Sequence, residues 1–310
     1  MRVSVVIPCY NVADLVGRSV ASAMAQTHAD LEVIAVDDGS TDGTLAMLRT
    51  LEQRYPGRLT VVARTNAGAC AARNAGLERG TGTYIEFLDA DDALMPEKIA
   101  HQVRLTEAND RPELIIGSGR VHTLGGRTTD EVQRTGRRDP WFELMRHGLG
   151  RTSQHLWKRS AVVAAGGWQV GLRSSQEYDL MFRMMQGGAR LVYDDAVLTD
   201  VYQRPDSISR TDLAGNWVRN TELRARILAH LAALNDGRDL RPYQQVVFDC
   251  IRVLHPYSPA EAHRLHEQLI PADFKPMPSP TSSKGYILAH RLLGFRRAER
   301  LRALMQGRWS

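Results

Sequence analysis

Apolar residues fall in short runs along the first part of the chain, each about as long as a strand. Val3-Ser4-Val5-Val6-Ile7-Pro8 is almost continuously apolar, the pattern of a strand buried on both faces of a sheet. Residues 31–36, 59–63 and 84–88 repeat it. After each of the first three runs come turn-forming polar residues and a stretch with helical spacing. Residues 11–14 can cap a helix reaching about Gln26, and Thr41 or Asp42 one that runs towards Tyr55-Pro56. Asn66-Ala67-Gly68 opens another through Asn74. This alternation predicts βαβ units and a mainly parallel sheet. Right-handed crossovers would put all four strand ends on one edge of it.

Further on, a helix is predicted over 95–108 and a strand over 114–117. Residues 120–139, rich in Gly, Thr and Arg, read as a loop or a hairpin turning at 123–128. A short amphipathic segment at 141–145 precedes a strand made of 152–153 and 156–157, and Ser160 caps a helix that Gly166-Gly167-Trp168 breaks. Ser174 to Asp179 leads into an amphipathic helix at 180–185, followed by strands at 191–193 and 197–202 and a loop at 204–209. Beyond Asp212 the chain is helical in character, with Leu223, Ile227, Leu231 and Leu234 spaced as an ordinary core stripe over 216–235. Helices at 243–254 and 259–269 come next, and the four prolines and several serines of 271–283 read as a linker before a last helix at 285–310.

A chain of 310 residues, 43% hydrophobic, can bury one large domain and carry an appendage. Its three cysteines, Cys9, Cys70 and Cys250, are far apart, so neither a disulfide framework nor a zinc cluster is expected, and a reducing, cytoplasmic setting fits. A strand begins almost at the N-terminus, so no signal peptide is expected, and no apolar run approaches the roughly 20 residues of a membrane-spanning helix. Nucleic acid is not an expected partner. The net charge of +5 is matched by residues 285–310 alone, where Arg291, Arg296, Arg297, Arg300, Arg302 and Arg308 face the single acid Glu299. With Leu288, Leu292, Phe295, Leu301 and Leu304 alongside, this basic amphipathic helix has the composition of one lying on anionic lipid. The plainer account is a helix packed on its own domain or on a second copy of the chain.

The four strand ends carry the unusual residues: Pro8 and Tyr10, Asp37 and Asp38, Arg64 and Asn66, Asp89 and Asp91. Open α/β sheets bind their ligands at such ends. Asp89 and Asp91, two apart on an extended segment, can share a hard cation such as Mg²⁺ or Mn²⁺ with the phosphates of a substrate. A bare D-x-D is equally a solvated turn that caps the next helix; the second acidic strand end at Asp37-Asp38 favours a site. No G-x-G-x-x-G follows the first strand and no G-x-x-x-x-G-K-[ST] occurs, which argues against a dehydrogenase or a P-loop NTPase. Glu177 has its own innocent reading, since acids suit the positive end of a helix.

Five ordered stretches resemble the family 2 glycosyltransferases: residues 5–11, residues 37–42, Asn66-Ala67-Gly68 with Ala72-Arg73-Asn74, residues 87–92, and Gly166-Gly167-Trp168 followed by residues 176–180. The resemblance covers residues 1 to about 210. It implies an α/β GT-A fold, with a mainly parallel sheet flanked by helices, a UDP-, GDP- or dTDP-linked sugar donor, and inversion at the anomeric carbon. The expected organisation is a GT-A catalytic domain at 1–212, a helical extension at 213–270, a Pro/Ser-rich linker at 271–284 and the basic helix at 285–310. By position, Pro8 and Tyr10 would border base and ribose, with Asn66 also on the nucleotide side. Asp38 would accept a hydrogen bond from the base, Asp37 would help hold the nucleotide, and Arg73 would lie near base or diphosphate. Asp89 would contact ribose or sugar and share the metal with Asp91. The general base falls on Glu177, where Gln176-Glu177 replaces the family's common Glu-Asp pair, and Asp179 is the fallback. A nucleotidyltransferase on a similar sheet, or a non-catalytic sugar-nucleotide-binding or membrane scaffold, are the rival readings. The first lacks its basic, glycine-rich loop; the retained acids at 89, 91 and 177 oppose the second.

Overall fold

In a computed structural model of the chain, residues 1–123, 129–136, 139–203 and 212–305 are described. They form two compact units, Met1–Ser207 and Ile208–Ser310. The first is built on a nine-stranded sheet of order β3-β2-β1-β4-β8-β6-β9-β5, with β7 paired to β6. Strands β1 (Val3–Cys9), β2 (Leu31–Asp37), β3 (Leu59–Ala63) and β4 (Tyr84–Phe87) are mutually parallel. Helices α1 (Val16–Met24), α2 (Thr44–Arg54) and α3 (Ala69–Arg79) connect them, as the alternation of runs predicts.

Strand periodicity sorts the side chains by face. Val3, Val5, Ile7, Val33, Ala35 and Val61 share one core cluster with α1, α2 and α4 (Lys98–Ala108). Val6 points the other way, against α3, so closely that a Cβ on Gly76 would lie 2.2 Å from it. On that face Phe87 meets the edge of Trp168 at 5.0 Å.

The remainder of the sheet is mixed. β5 (Ala93–Leu94), β6 (Leu114–Thr123), β7 (Thr129–Gln133), β8 (Leu156–Lys158) and β9 (Leu191–Gln203) join it, with α5 (Pro140–Met145), α6 (Arg159–Ala164) and α7 (Gln176–Gln186) between them. β6 and β7 form the expected hairpin. Apart from Thr123, the turn expected at 123–128 lies outside the described residues, as do the loop at 204–209 and Arg308.

Three expectations are corrected. Residues 191–202 are one strand, not two, because the interrupting Asp194 is buried and satisfied by His101, Gln102 and the amide of Ala196. Thr152–Gln154 is a 3₁₀ turn instead of a strand, with the Ser153 hydroxyl drawn to Asp92. The last helix, α11 (Lys284–Met305), is broken at Gly294, which takes φ 73° and ψ 172°.

The second unit contains α8 (Leu213–Leu234), α9 (Arg241–Leu254), α10 (Pro259–Leu269) and α11. Leu223, Ile227 and Leu231 are buried as the stripe predicts, while Leu234 is exposed. The residues read as a linker lie packed along α9. Ser279, Thr281 and Ser282 all donate to Asp249, and the Phe274 ring sits 5.2 Å from Phe248. Among the described residues no helix is long and apolar enough to cross a membrane.

Candidate active site

Parallel register brings the first strand ends level. Cys9 faces Asp37 across β1–β2, and Asp37 faces Ala63 across β2–β3. Peptide bonds stitch the segments that follow: Asp38 N–H donates to Cys9 (2.8 Å), Arg64 to Asp37 (3.0 Å) and Leu88 to Val6 (3.0 Å). Gly39 makes the turn after β2 with φ 73°, and a Cβ there would lie 2.8 Å from the Asn66 amide nitrogen, so only glycine fits. Pro8 lies in β1, while Tyr10 just beyond is 44% exposed and Asn66 is exposed.

Both acids at the end of β2, Asp37 and Asp38, are buried. The Asp38 carboxylate accepts from the amides of Ala67 (3.2 Å) and Gly68 (2.7 Å) and pairs with Arg64 at 3.3 Å. Asp37 Oδ2 accepts from the Ser40 amide at 3.3 Å, whereas its buried Oδ1 has no partner.

The end of β4 is tied to two distant helices by one guanidinium. Arg73, on α3, pairs with Asp89 at 2.7 Å, donates to Gln176 Oε1 at 2.8 Å and lies 4.6 Å from the centre of the Trp168 ring. The Asp89 side chain stays 35% exposed. Its amide donates to Ser153 Oγ at 3.0 Å, and that hydroxyl donates on to the buried Asp92 at 2.6 Å. Asp92 also accepts from the Tyr202 amide at 3.1 Å. Burial pushes the Asp92 carboxyl well above the usual carboxylate range, and the charges of Asp89 and Asp91 push it the same way. Asp91 is partly exposed, and its carbonyl accepts from Arg18, whose guanidinium stacks 3.7 Å from the centre of the Tyr202 ring.

Glu177 stands in the first turn of α7, after Ser175 in a left-handed conformation at φ 56°. It is half-buried. Burial raises its pKa above the ordinary value; Arg73 and Arg151 oppose the rise and Asp89 adds to it. Asp179 is buried and accepts from Arg183 Nε at 2.9 Å, one turn along the same helix. The structure thus brings Arg73, Asp89 and the start of α7 together, and turns Asp179 towards a partner of its own. Asp89 and Asp91, both partly exposed, each repel the buried Asp92, and two open carboxylates of this kind suit a divalent cation whose remaining ligands are water and phosphate. Among the described residues no set of three or more His, Cys, Asp or Glu converges as a ready-made metal cage.

Sequence reasoning passed over Arg18, Ser153 and the bond from Gln176 to Arg73. Gln176 has a signal, as the polar neighbour of the expected base. Arg18 and Ser153 have none, since each acts on a residue more than sixty positions away.

Such a sheet, with acids at adjoining strand ends, is the GT-A fold. A family model described as glycosyl transferase family 2 matches residues 4–177, and the chain belongs to that family. It is therefore a glycosyltransferase, and the nucleotidyltransferase and scaffold readings fall away. The uncharacterised glycosyltransferase YibD of Escherichia coli K12 is 27% identical over 277 residues, covering 82% of this chain and 78% of YibD. The chain spans from about a third to 78% of the length of curated relatives it matches. Staphylococcus aureus TarS 1-349, solved with UDP-GlcNAc, resembles it with a TM-score of 0.68 at 16% identity over 100% of this chain and 93% of that one. The mannosyltransferase PcManGT of Pyrobaculum calidifontis, solved with GDP-Man and Mn²⁺, has a TM-score of 0.53 at 21% identity, covering 99% and 87%. At such identities the likeness is one of fold.

Proposed function

We propose that this enzyme transfers a sugar, with inversion, from a nucleoside-diphosphate sugar to a hydroxyl of a glycan or lipid-linked acceptor, in the synthesis of a polysaccharide, O-antigen or glycolipid. The observation that carries the reading is Glu177, a half-buried carboxylate on α7 next to the Arg73–Asp89 pair but on a separate element from the β4 acids. Direct displacement needs a base on the face of the sugar opposite the leaving group, and a carboxylate on an element apart from the β4 acids supports Glu177 in that role. Glu177 takes the acceptor's hydroxyl proton as that oxygen bonds to the anomeric carbon. The bond from that carbon to the diphosphate breaks, and the nucleoside diphosphate leaves with the electron pair. Burial raises Glu177's proton affinity, as suits a group that must hold the proton it receives.

Asp91, with Asp89, would hold Mn²⁺ or Mg²⁺, which when bound neutralises charge developing on the leaving diphosphate. The metal in the PcManGT complex supports this choice, and the TarS and PcManGT ligands support a nucleotide-linked sugar donor, whether UDP-, GDP- or dTDP-linked. Pro8, Tyr10, Asp37, Asp38 and Asn66 would receive the nucleotide. Arg73, held between Asp89 and Gln176, would position the acids beside it. In this reading the first unit is the catalytic domain and the second a helical extension. The enzyme works in the cytoplasm at the inner face of the membrane, with α11's exposed Leu288, Leu292 and Leu304 and its arginines on anionic lipid. Pairing of two chains through that face is the competing use of it.

The test is turnover of a nucleotide-sugar panel with Mn²⁺, read as released nucleoside diphosphate, alongside calorimetry of UDP and GDP. Glu177→Gln should lower kcat by about 10²-fold or more with nucleotide affinity intact. Asp91→Ala should lose the metal-dependent part of that affinity. Activity in Glu177→Gln together with its loss in a folded Asp179→Asn would move the base to Asp179. Equal, metal-independent affinity in wild type and Asp91→Ala would remove the metal from the reading.

A further inference from the structure

We infer that Arg18 is a positioning residue for the reaction: braced against the Tyr202 ring, it holds the acidic turn at residues 89–92 through the Asp91 carbonyl. Only the use of that turn for a cation rests on the function proposed above.

A polar stripe on α1 fastens the chain that leaves this turn. Arg18, Ser22 and, just past the helix end, Gln26 recur every fourth residue and so fall on one side. Gln26 Nε2 donates to the Met95 carbonyl at 2.8 Å, and Ser22 Oγ accepts from the Leu94 amide at 3.1 Å. Arg18 donates to the Asp91 carbonyl. Residues 93 and 94 are held a second time by β9, where Ala93 faces Asp200 and Leu94 faces Thr199. Asp91 lies ahead of that pairing, and the side chain gripping its carbonyl is an exposed arginine.

An exposed arginine alone makes a poor anchor, since its long side chain has many rotamers to lose. This one is braced. Its guanidinium carbon lies 3.7 Å from the centre of the Tyr202 ring, within cation–π range. The ring is itself fixed: His122 stacks on it at 4.7 Å and 17°. His122 in turn is hydrogen-bonded to Asp200 at 2.9 Å and to Asp130 at 2.8 Å. The Tyr202 amide also donates to the Asp92 carboxylate at 3.1 Å. A single residue of β9 thus serves two acids, reaching Asp91 by its ring through Arg18 and Asp92 by its peptide. Asp89 and Asp91 both repel Asp92, and an anchor on the backbone opposes that spreading before any cation arrives.

Two measurements test the brace in full-length Arg18→Met, Tyr202→Leu, their double variant and Tyr202→Phe. The first is amide exchange in residues 89–94 without metal or nucleotide. Arg18→Met and Tyr202→Leu should each speed it by about fivefold, the worth of one cation–π contact, with β1 and β2 unchanged. The double variant should be no faster than Arg18→Met alone, and Tyr202→Phe should match the wild type because it keeps the ring. The second is calorimetry of UDP with and without Mn²⁺. Affinity with Mn²⁺ should weaken in step with exchange, while metal-free affinity holds. Wild-type exchange in Arg18→Met, or additive effects in the double variant, would overturn the brace. So would a loss of metal-free UDP affinity in Arg18→Met, because Arg18 would then touch the nucleotide itself. Wild-type affinity indifferent to Mn²⁺ would refute the cation reading alone, and exchange would still decide the brace.

Discussion

Each unit of this protein contains a buried arginine that pairs with a carboxylate and lies over an aromatic ring. In the first, Arg73 meets Asp89 at 2.7 Å and sits 4.6 Å from Trp168. In the second, Arg252 meets Glu299 at 2.7 Å and sits 3.2 Å from Tyr286. The surroundings separate them. The side chains of Arg252 and Glu299 are 1% and 0% exposed, and the donors of Arg252 are taken by Glu299, Ser282 and the Thr281 carbonyl. The other Glu299 oxygen has Arg302 at 3.0 Å. Asp89 instead keeps 35% of its side chain open beside Asp91. A closed pair fastens helices to each other; an open one leaves charge for something to bind. Geometry of the pair itself does not tell a staple from a site, whereas access does.

Removing one partner from each pair should break this equivalence. Glu299→Gln leaves Arg252 with uncompensated charge in a closed interior, which costs about 3–5 kcal/mol. The second unit should unfold first in urea, read by hydrogen exchange in α9 and α11. A loss of less than about 1 kcal/mol would mean that water reaches the pair. Arg73→Gln should cost less, roughly 1.5–3 kcal/mol for a charged hydrogen bond, because water can solvate Asp89. Its larger consequence should fall on turnover, since Asp89 and the start of α7 lose their common tether. Normal kcat in this variant would reduce Arg73 to a structural role.

The same contrast governs what could be read in the sequence. Strands β1 to β4 were legible because burial on both faces demands continuous apolar runs, and the acids at their ends stand out against them. Where burial is bought with polar partners the pattern fails. Asp194 looks like an interruption of β9, yet Gln102 and His101 satisfy it from another element. The prolines and serines of 271–283 have a linker's composition, but Asp249 and Arg252 fix them from α9. In the site, Asp89, Asp91 and Glu177 were visible as acids at structural boundaries. The bonds from Ser153 to Asp92 and from Arg73 to Gln176 span 61 and 103 residues and leave no local trace.

Protons give the gentlest probe of the contrast, at most about 1.4 kcal/mol per pH unit for each group. In the second unit His255, His263, His266 and His290 all have lowered pKa values, with burial the leading cause for each. Arg252, Arg296, Arg300 and Arg302 lower one or more of them further, while Glu299 and Glu267 work the other way. A base lowered by folding takes up its proton more readily in the unfolded chain. The stability these histidines confer is therefore present above their unfolded pKa near 6.5 and fades as the pH falls below it, towards about 4 for His266. The first unit mixes signs. His155 is lowered to about 3 by burial and by Lys98. For His122, burial lowers the pKa, but hydrogen bonds to Asp200 at 2.9 Å and Asp130 at 2.8 Å outweigh it and raise the value. Its contribution is full below pH 6.5 and is lost as the pH rises through the raised value. Between pH 7 and 5 these two histidines oppose each other, whereas those of the second unit act together. Exchange protection should then fall more steeply in α9 to α11 than in β1 to β4 over that interval, and recover on returning to pH 7. Equal losses in the two regions would show that carboxylates common to both, and not the histidines, set the acid response.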